Sequence, residues 1–277
     1  MYTHYGVTTL DTLIERINTK INNNNPNYDI SYLKRLRDVL EDIKGKYGNI
    51  LTIAATLPIK ELSGDIRQGK IDERIPKYFE DMVKSITKSL KYYLISIEYY
   101  NGYPVLIVGE PDGLNFGGKM KTIANIYEVK SVDLTKSQSK GDEDLIKKIL
   151  HIIREISGQL IIYQYLLKRT IEFNLIGKIE RINLYGAIYP YSEDIGNLYG
   201  VKRIIRHNLN RIMRDAYKYN AYNFILKEEG TIYIDNKKIY YFKIGFRVNY
   251  NQKIVETHLK NPNELIKSLK LLDNRSL

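Results

Sequence analysis

The sequence contains no cysteine, no tryptophan and only four histidines among its 277 residues. The absence of cysteine excludes disulfides, thiolate zinc sites, cysteine nucleophiles and iron–sulfur clusters. No two histidines stand four residues apart, so we do not expect a zinc site built from two histidines on one helix.

Long apolar runs are also absent. No stretch approaches the length of about 18 apolar residues that a membrane-spanning helix needs. The first residues lack a charged segment followed by an apolar one, so the pattern predicts no signal peptide. We therefore expect an intracellular, cytoplasmic protein without a membrane partner.

Positive charge is present in excess. The chain has 43 Lys and Arg residues against 32 Asp and Glu residues, which gives a formal net charge of +11. A basic surplus of this size favours an anionic partner, and nucleic acid is the first expectation. The 25 tyrosines and the lack of cysteine would fit an AT-rich archaeal or viral genome.

Apolar periodicity predicts a mixed α/β domain with an N-terminal helical addition. Helices are predicted over about 9–21, 30–45, 68–90, 142–168, 199–218 and 263–272. Strands are predicted over about 92–100, 103–108, 122–132 and 180–189, followed by a hairpin of 231–234 with 239–248. A turn at 117–121 would join the second and third strands. We assign residues 1–60 to an N-terminal helical region, with a helical hairpin, and 61–277 to the main domain.

One group of ionic residues points to chemistry. Asp112 follows the second predicted strand, and Glu128 and Lys130 lie two apart on the third, so their side chains share a face. If the strands pair, the three groups converge. Two neighbouring carboxylates repel each other and favour a divalent cation, for which Mg²⁺ is suited by its oxygen ligands. A lysine beside the metal could orient the attacking water, help to deprotonate it, or stabilise charge that develops on the phosphate.

The acid-x-lysine spacing also occurs at Asp42–Lys44 and Asp235–Lys237. The first pair lies in a predicted helix, where positions i and i+2 do not face each other, and the second lies at a hairpin tip. Only Glu128 and Lys130 combine strand context with an acid after the preceding strand. An ordinary ion pair on an exposed sheet face is the alternative for them.

Four short motifs together resemble the PD-(D/E)xK nuclease superfamily over about residues 65–190. They are the sequence from Gly69 to Arg74, the pair Pro111-Asp112, the triplet Glu128-Val-Lys130, and Gln159 with Tyr163 four residues later. The first is similar to the helix start of archaeal Holliday-junction resolvases. The last is similar to RecB-like exonucleases, including CRISPR-associated ones.

The resemblance implies a restriction-endonuclease-like fold, in which helices flank a mixed central sheet, here with a C-terminal α+β extension. It implies that Asp112, Glu128 and the carbonyl of Val129 bind metal and that Lys130 is the catalytic lysine. It further implies that Glu73 is the helix acid, which binds metal directly or through water. An ordinary first-turn acid, favoured by the helix dipole, is the alternative for Glu73.

Three further residues take roles from the same resemblance. Glu80, two turns after Glu73, is the second choice for the helix acid. Gln159 and Tyr163 would contact substrate or support the lysine, although Tyr163 could instead be a core residue. Many RecB-like members have histidine at the helix position, so this chain departs from that branch, and it lacks the cysteines for their cluster.

A basic helix is predicted over about 199–218. Its apolar stripe runs from Val201 to Ala216. We predict that substrate phosphates bind to four arginines on the other faces of this helix, Arg203, Arg206, Arg211 and Arg214. A solvated basic face that binds nothing is the alternative.

The sequence therefore predicts a DNA nuclease that depends on Mg²⁺ or Mn²⁺ and has no iron–sulfur cluster. The resemblance implies hydrolysis to 5′-phosphate and 3′-hydroxyl ends. Two alternatives stay open. One is a non-catalytic nucleic-acid-binding or scaffold protein with a nuclease fold, and the other is a homodimeric resolvase or restriction-like endonuclease.

Overall fold

The computed structural model describes residues 7–55, 74–118, 120–133, 141–234 and 236–259. The helices in these ranges are α1 (Leu10–Asn22), α2 (Ile30–Tyr47), α3 (Arg74–Thr87), α4 (Asp142–Glu172), α5 (Ile195–His207), α6 (Leu209–Ala216) and α7 (Gln252–His258). The strands are β1 (Val7–Thr9), β2 (Leu51–Ala54), β3 (Leu94–Tyr100), β4 (Tyr103–Gly109), β5 (Gly113–Gly117), β6 (Ile123–Asp133), β7 (Arg181–Ser192), β8 (Ala221–Ile234) and β9 (Lys237–Val248).

The strands form two mixed sheets. The first has the order β1-β2-β4-β3 and the second the order β5-β6-β7-β9-β8. The neighbours β2 and β4 are parallel, as are β6 and β7, and the other neighbours are antiparallel. The structure confirms the predicted mixed α/β class, the N-terminal helix pair and the C-terminal strands. The sequence predicted one central sheet, whereas the strands divide between β4 and β5 into two.

Helix α4 forms the centre of the larger core. Its first turn carries the acids Asp142, Glu143 and Asp144, which favour a helix N-terminus. Ile149, Ile153, Ile156 and Leu160 recur at helical spacing and are completely buried. Because α4 contacts β3 and β4 as well as β6 and β7, one helix spans both sheets.

Helix α3 packs on the opposite face of the second sheet. Phe79 stacks on Tyr189 with ring centroids 4.6 Å apart and meets the edge of Tyr241 at 5.0 Å. Pro76 is the third residue of this helix, where a missing N–H costs little. The predicted start of this helix at 68–73 lies outside the described residues.

The structure corrects two predicted elements. The turn after Gly117 joins β5 to β6, so a short strand that the sequence did not predict precedes it. Its two glycines hide the strand signal, and pairing with β6 stabilises it. The helix predicted over 199–218 is interrupted at Asn208, whose side chain donates to the Ile204 carbonyl at 3.0 Å and competes with helical bonding.

Several predictions fall near the ends of the described ranges. The sequence did not predict α7, which Asn251 caps by accepting a hydrogen bond from the Lys253 N–H. The helix predicted over 263–272 and the boundary between residues 60 and 61 lie outside the described residues. None of the helices in the described ranges is both long and apolar enough to cross a membrane.

Candidate active site

Asp112 lies between β4 and β5. Its side chain bonds to the backbone of β6 beyond the point where pairing with β5 ends. Its Oδ2 accepts a hydrogen bond from the Val129 N–H at 2.7 Å. Pairing of β5 with β6 ends at Gly113 and Tyr127, so Val129 has no strand neighbour on that side. The N–H and C=O of one strand residue point to the same side. The Val129 carbonyl therefore faces the Asp112 side, as a ligand to a shared ion must.

Glu128 and Lys130 share the face of β6 that packs against α4. The Lys130 Nζ lies 3.3 Å from Glu128 Oε1 and 3.6 Å from Oε1 of Glu155 on α4. Glu128 is only 3% exposed, and its second oxygen, Oε2, has no hydrogen-bond partner among the residues that the structure describes. A buried carboxylate oxygen without a partner is costly, so this site is incomplete as a purely structural ion pair.

A further acid approaches from α3. Glu80 lies near enough that its charge raises the pKa of both Asp112 and Glu128. Lys91 holds Glu80 in place, with its Nζ 3.3 Å from Glu80 Oε2 and 3.7 Å from Glu110 Oε1. Glu73 lies outside the described residues. In the described part of the chain, Glu80 is thus the acid that α3 brings to the carboxylates.

The two central carboxyls resist ionisation. Burial is the main cause that raises the pKa of Asp112 well above its usual range, and Glu128 adds to it. Burial also raises the pKa of Glu128, against the lowering effect of Lys130. Burial tends to lower the pKa of Lys130, but Glu128 and Glu155 outweigh it and leave that pKa raised. Lys130 is therefore a cation, suited to charge stabilisation rather than to accepting a proton.

The residues present fit a hard divalent cation. No group of three or more His, Cys, Asp or Glu side chains that could hold a metal ion occurs in the described ranges. Two carboxylates and the Val129 carbonyl are nevertheless a usual protein contribution to Mg²⁺, which keeps several waters and takes phosphate oxygens from substrate. The unpartnered Oε2 of Glu128 is the observation that supports this fit.

Gln159 and Tyr163 follow Glu155 at intervals of four along α4. Both are buried, and within the described part of the chain the Gln159 Oε1 accepts no hydrogen bond. The Tyr163 hydroxyl donates to the Glu110 carbonyl at 3.4 Å. Its ring packs on Gly109, where an added Cβ would lie only 2.9 Å from the ring atoms. Tyr163 is thus a core residue that holds the chain immediately before Asp112, whereas contact of either side chain with substrate stays a prediction.

Several residues around the carboxylates were not predicted from the sequence. Glu110 accepts a hydrogen bond from the Tyr28 hydroxyl at 2.6 Å, and Lys20 of α1 donates to the same hydroxyl. The N-terminal helices therefore reach the turn that carries Asp112. Glu110 could have been suspected from its place beside Pro111-Asp112, but Lys91 and Glu155 give no local signal.

Among the arginines of α5 and α6, those in ion pairs contact acids other than Asp112 and Glu128. Arg211 forms a two-bond ion pair with Glu143, at 2.6 and 2.7 Å, and Arg214 contacts Asp215 at 3.4 Å. Glu143 precedes Glu155 by about 18 Å along the axis of α4. Arg203 and Arg206 are exposed. Their role in binding phosphates stays a prediction.

No family model matches the chain, and neither does any curated protein or solved structure. The resemblance to the PD-(D/E)xK superfamily therefore rests on the motifs themselves, and function is inferred from the site.

Proposed function

We propose that the protein is a divalent-metal-dependent DNA nuclease that hydrolyses phosphodiester bonds. The observation that carries the proposal is the meeting of Asp112, Glu128 and Lys130 around the backbone of Val129, with one carboxylate oxygen left unpartnered. A cation bound between the two carboxylates would satisfy that oxygen.

The residues divide the proposed work between them. Asp112, Glu128 and the Val129 carbonyl would hold Mg²⁺ or Mn²⁺, which when bound activates water and polarises the phosphodiester. Lys130 keeps its proton and stabilises the negative charge that develops on the phosphate. Glu155 fixes the direction of the Lys130 ammonium, and Lys91 fixes Glu80.

Electrostatics support cation binding. Asp112, Glu128 and Glu80 are three acids in one region, and burial of the first two makes their ionised forms costly. Lys130 offsets only part of this charge. A divalent cation would bring both carboxyls back to the ionised form, and metal binding should therefore release protons.

The proposal includes the partner and the place of action. DNA is the proposed substrate because the chain is basic, with a net charge of +11. The cytoplasm is the proposed location. The resemblance implies 5′-phosphate and 3′-hydroxyl products. The protein could act as a monomer or as a homodimer, and gel filtration would distinguish the two.

The test is cleavage of end-labelled single-stranded, duplex and four-way-junction DNA in Mg²⁺, Mn²⁺ or EDTA. Asp112→Asn removes the charge with little change in shape, and Asp38→Asn makes the same change at a side chain that is 65% exposed. Metal-dependent cleavage by the wild type and Asp38→Asn, lost in Asp112→Asn, supports the proposal. Salt-sensitive DNA binding without any cleavage would favour the non-catalytic scaffold instead.

A further inference from the structure

A cleft of about 770 Å³ opens on the face of the second sheet that packs against α3. The side of the sheet is fixed by Gly186, where an added Cβ would meet Ile156 of α4 at 2.9 Å. Its neighbours Tyr185 and Ala187 therefore point away from α4, into the cleft. Val83, Ile86 and Thr87 of α3 form one wall. The volume is typical of sites for small ligands.

Aromatic rings and a cation stand side by side at one end of the cleft. Tyr127, Tyr185 and Arg247 are in register on neighbouring strands. The two tyrosine rings stack with centroids 5.2 Å apart, and the Arg247 guanidinium lies 5.2 Å from the Tyr185 centroid. Such a platform suits planar π-systems, which stack on aromatic rings and on guanidinium groups.

The floor beside this platform is made of small or apolar residues. Val129, Ala187, Gly245 and Ile225 lie in register across four strands. A Cβ on Gly245 would meet only Lys243 Cε at 3.8 Å and the Ile225 carbonyl at 3.9 Å, so the floor there is open. A bulge at Asn223, with φ of 51°, shifts the register and leaves Ile225 49% exposed.

The other end of the cleft is cationic. Lys227 and Lys243 are directly opposite each other on β8 and β9. Both side chains line the cleft, where an anion would meet two cationic groups. Glu128 is the acidic residue of the described lining, but its side chain is turned to Lys130 on the other face.

We infer that this cleft binds a single strand of nucleic acid. Bases would stack on the Tyr127 ring and on the Arg247 guanidinium, because Tyr185 lies between these two groups. Phosphates would lie on Lys227 and Lys243. The cleft suits one or two nucleotides rather than a duplex. The choice of nucleic acid rests on the proposed function, and Val129 connects the two features because it lines the cleft and donates its N–H to Asp112.

The test is the affinity of the full-length protein for fluorescein-labelled oligo(dT), measured by fluorescence anisotropy in EDTA. Gly245→Glu places bulk and negative charge on the open floor, and Gly245→Ala is its matched control. Lys227→Glu reverses a charge in the cleft. Lys34→Glu makes the same charge change at an exposed position of α2, and a duplex of equal length serves as the second ligand.

Gly245→Glu should weaken oligo(dT) binding by about tenfold or more and Gly245→Ala by less than twofold, since stacking and phosphate contacts are both lost. Lys227→Glu should weaken binding more than Lys34→Glu and should lower the salt slope by about 0.7. Thermal melting checks that each variant is folded. Equal affinities for both Gly245 variants, a larger loss in Lys34→Glu, or tighter binding of duplex would overturn the inference.

The two proposals can fail separately, because binding in EDTA needs no cleavage. Loss of oligo(dT) binding in Gly245→Glu and Lys227→Glu upholds the cleft even if the wild type cuts nothing. Cleavage that needs Asp112 upholds the nuclease even if these variants bind normally, in which case the cleft is not the binding site.

Discussion

The Asp112 carboxylate accepts a hydrogen bond from the Val129 N–H at 2.7 Å, so it lies beside the strand segment that carries Glu128 and Lys130. Burial is the main cause that raises the pKa of Asp112, and the charge of Glu128 raises it further, against the lowering effect of Lys130. Two helices enclose this strand, since α4 packs on one side of β6 and α3 on the other. The fold therefore keeps two acids where ionisation is unfavourable. Residues held at the expense of stability are typical of functional sites.

Stability without metal should depend on pH in a defined direction. An acid whose pKa is raised on folding binds more protons in the folded state, so stability is lost as the pH rises from the unfolded pKa through the folded one. In EDTA, the melting temperature of the wild type should therefore fall relative to that of Asp112→Asn as the pH increases from 5 to 8. Melting curves that stay parallel over this range would contradict the raised pKa.

Mg²⁺ should stabilise the folded protein. A ligand that binds only the folded state at 100 times its dissociation constant adds about 2.7 kcal/mol to the free energy of unfolding. Thermal melting with increasing Mg²⁺ should show this shift in the wild type and in Asp38→Asn. Asp112→Asn and Glu128→Gln should lose it, and an equal shift in all four proteins would place the metal elsewhere.

Lys130 should act on the chemical step. Because Lys130 is cationic, Lys130→Met should slow single-turnover cleavage by about 100-fold, the usual loss for one electrostatic contact to the transition state. DNA affinity should change by less than about threefold. Lys218→Met, at a side chain that is 73% exposed, is the control. A parallel loss of rate and affinity would make Lys130 a binding residue.

Gly109 should be needed for the close packing of β4 against α4. A methyl group there would lie 2.7 Å from Leu166 and 2.9 Å from the Tyr163 ring, so Gly109→Ala should reduce the free energy of unfolding by about 1–3 kcal/mol. Gly45→Ala is the matched control: nothing lies within 4 Å of its Cβ, and alanine should stabilise α2 by about 0.5–1 kcal/mol. Urea denaturation measures both, and a neutral Gly109→Ala would contradict the close packing.

The sequence predicted that Asp112, Glu128 and Lys130 converge, because spacing of two on a strand is a local signal. The strand pairing expected to bring Asp112 there was wrong, since β4 and β6 lie in different sheets and the unpredicted β5 pairs with β6 instead. It could not predict Lys91, Glu110 or Glu155, since their contacts depend on how α3, α4 and Tyr28 pack in three dimensions. For the same reason Tyr163 could be placed on α4 but not against Gly109. Helix periodicity also continues through Asn208, where a side-chain hydrogen bond ends α5.

The proposed nucleotide cleft could not be predicted from the sequence either. The basic helix was the strongest local signal for phosphate binding, yet Arg211 is engaged by Glu143. The cleft contains Tyr127, Tyr185 and Arg247 from three separate strands, which only the sheet register brings side by side. A pattern of this kind has no sequence spacing that could identify it.

Single-turnover cleavage of end-labelled DNA by the wild type, Glu128→Gln and Asp38→Asn, in Mg²⁺ and in EDTA, decides whether the carboxylates perform chemistry. We expect cleavage by the wild type and Asp38→Asn in Mg²⁺ alone, and none by Glu128→Gln in either condition. Cleavage by Glu128→Gln at the wild-type rate, or an inactive wild type with every DNA substrate, would contradict the assignment of the site.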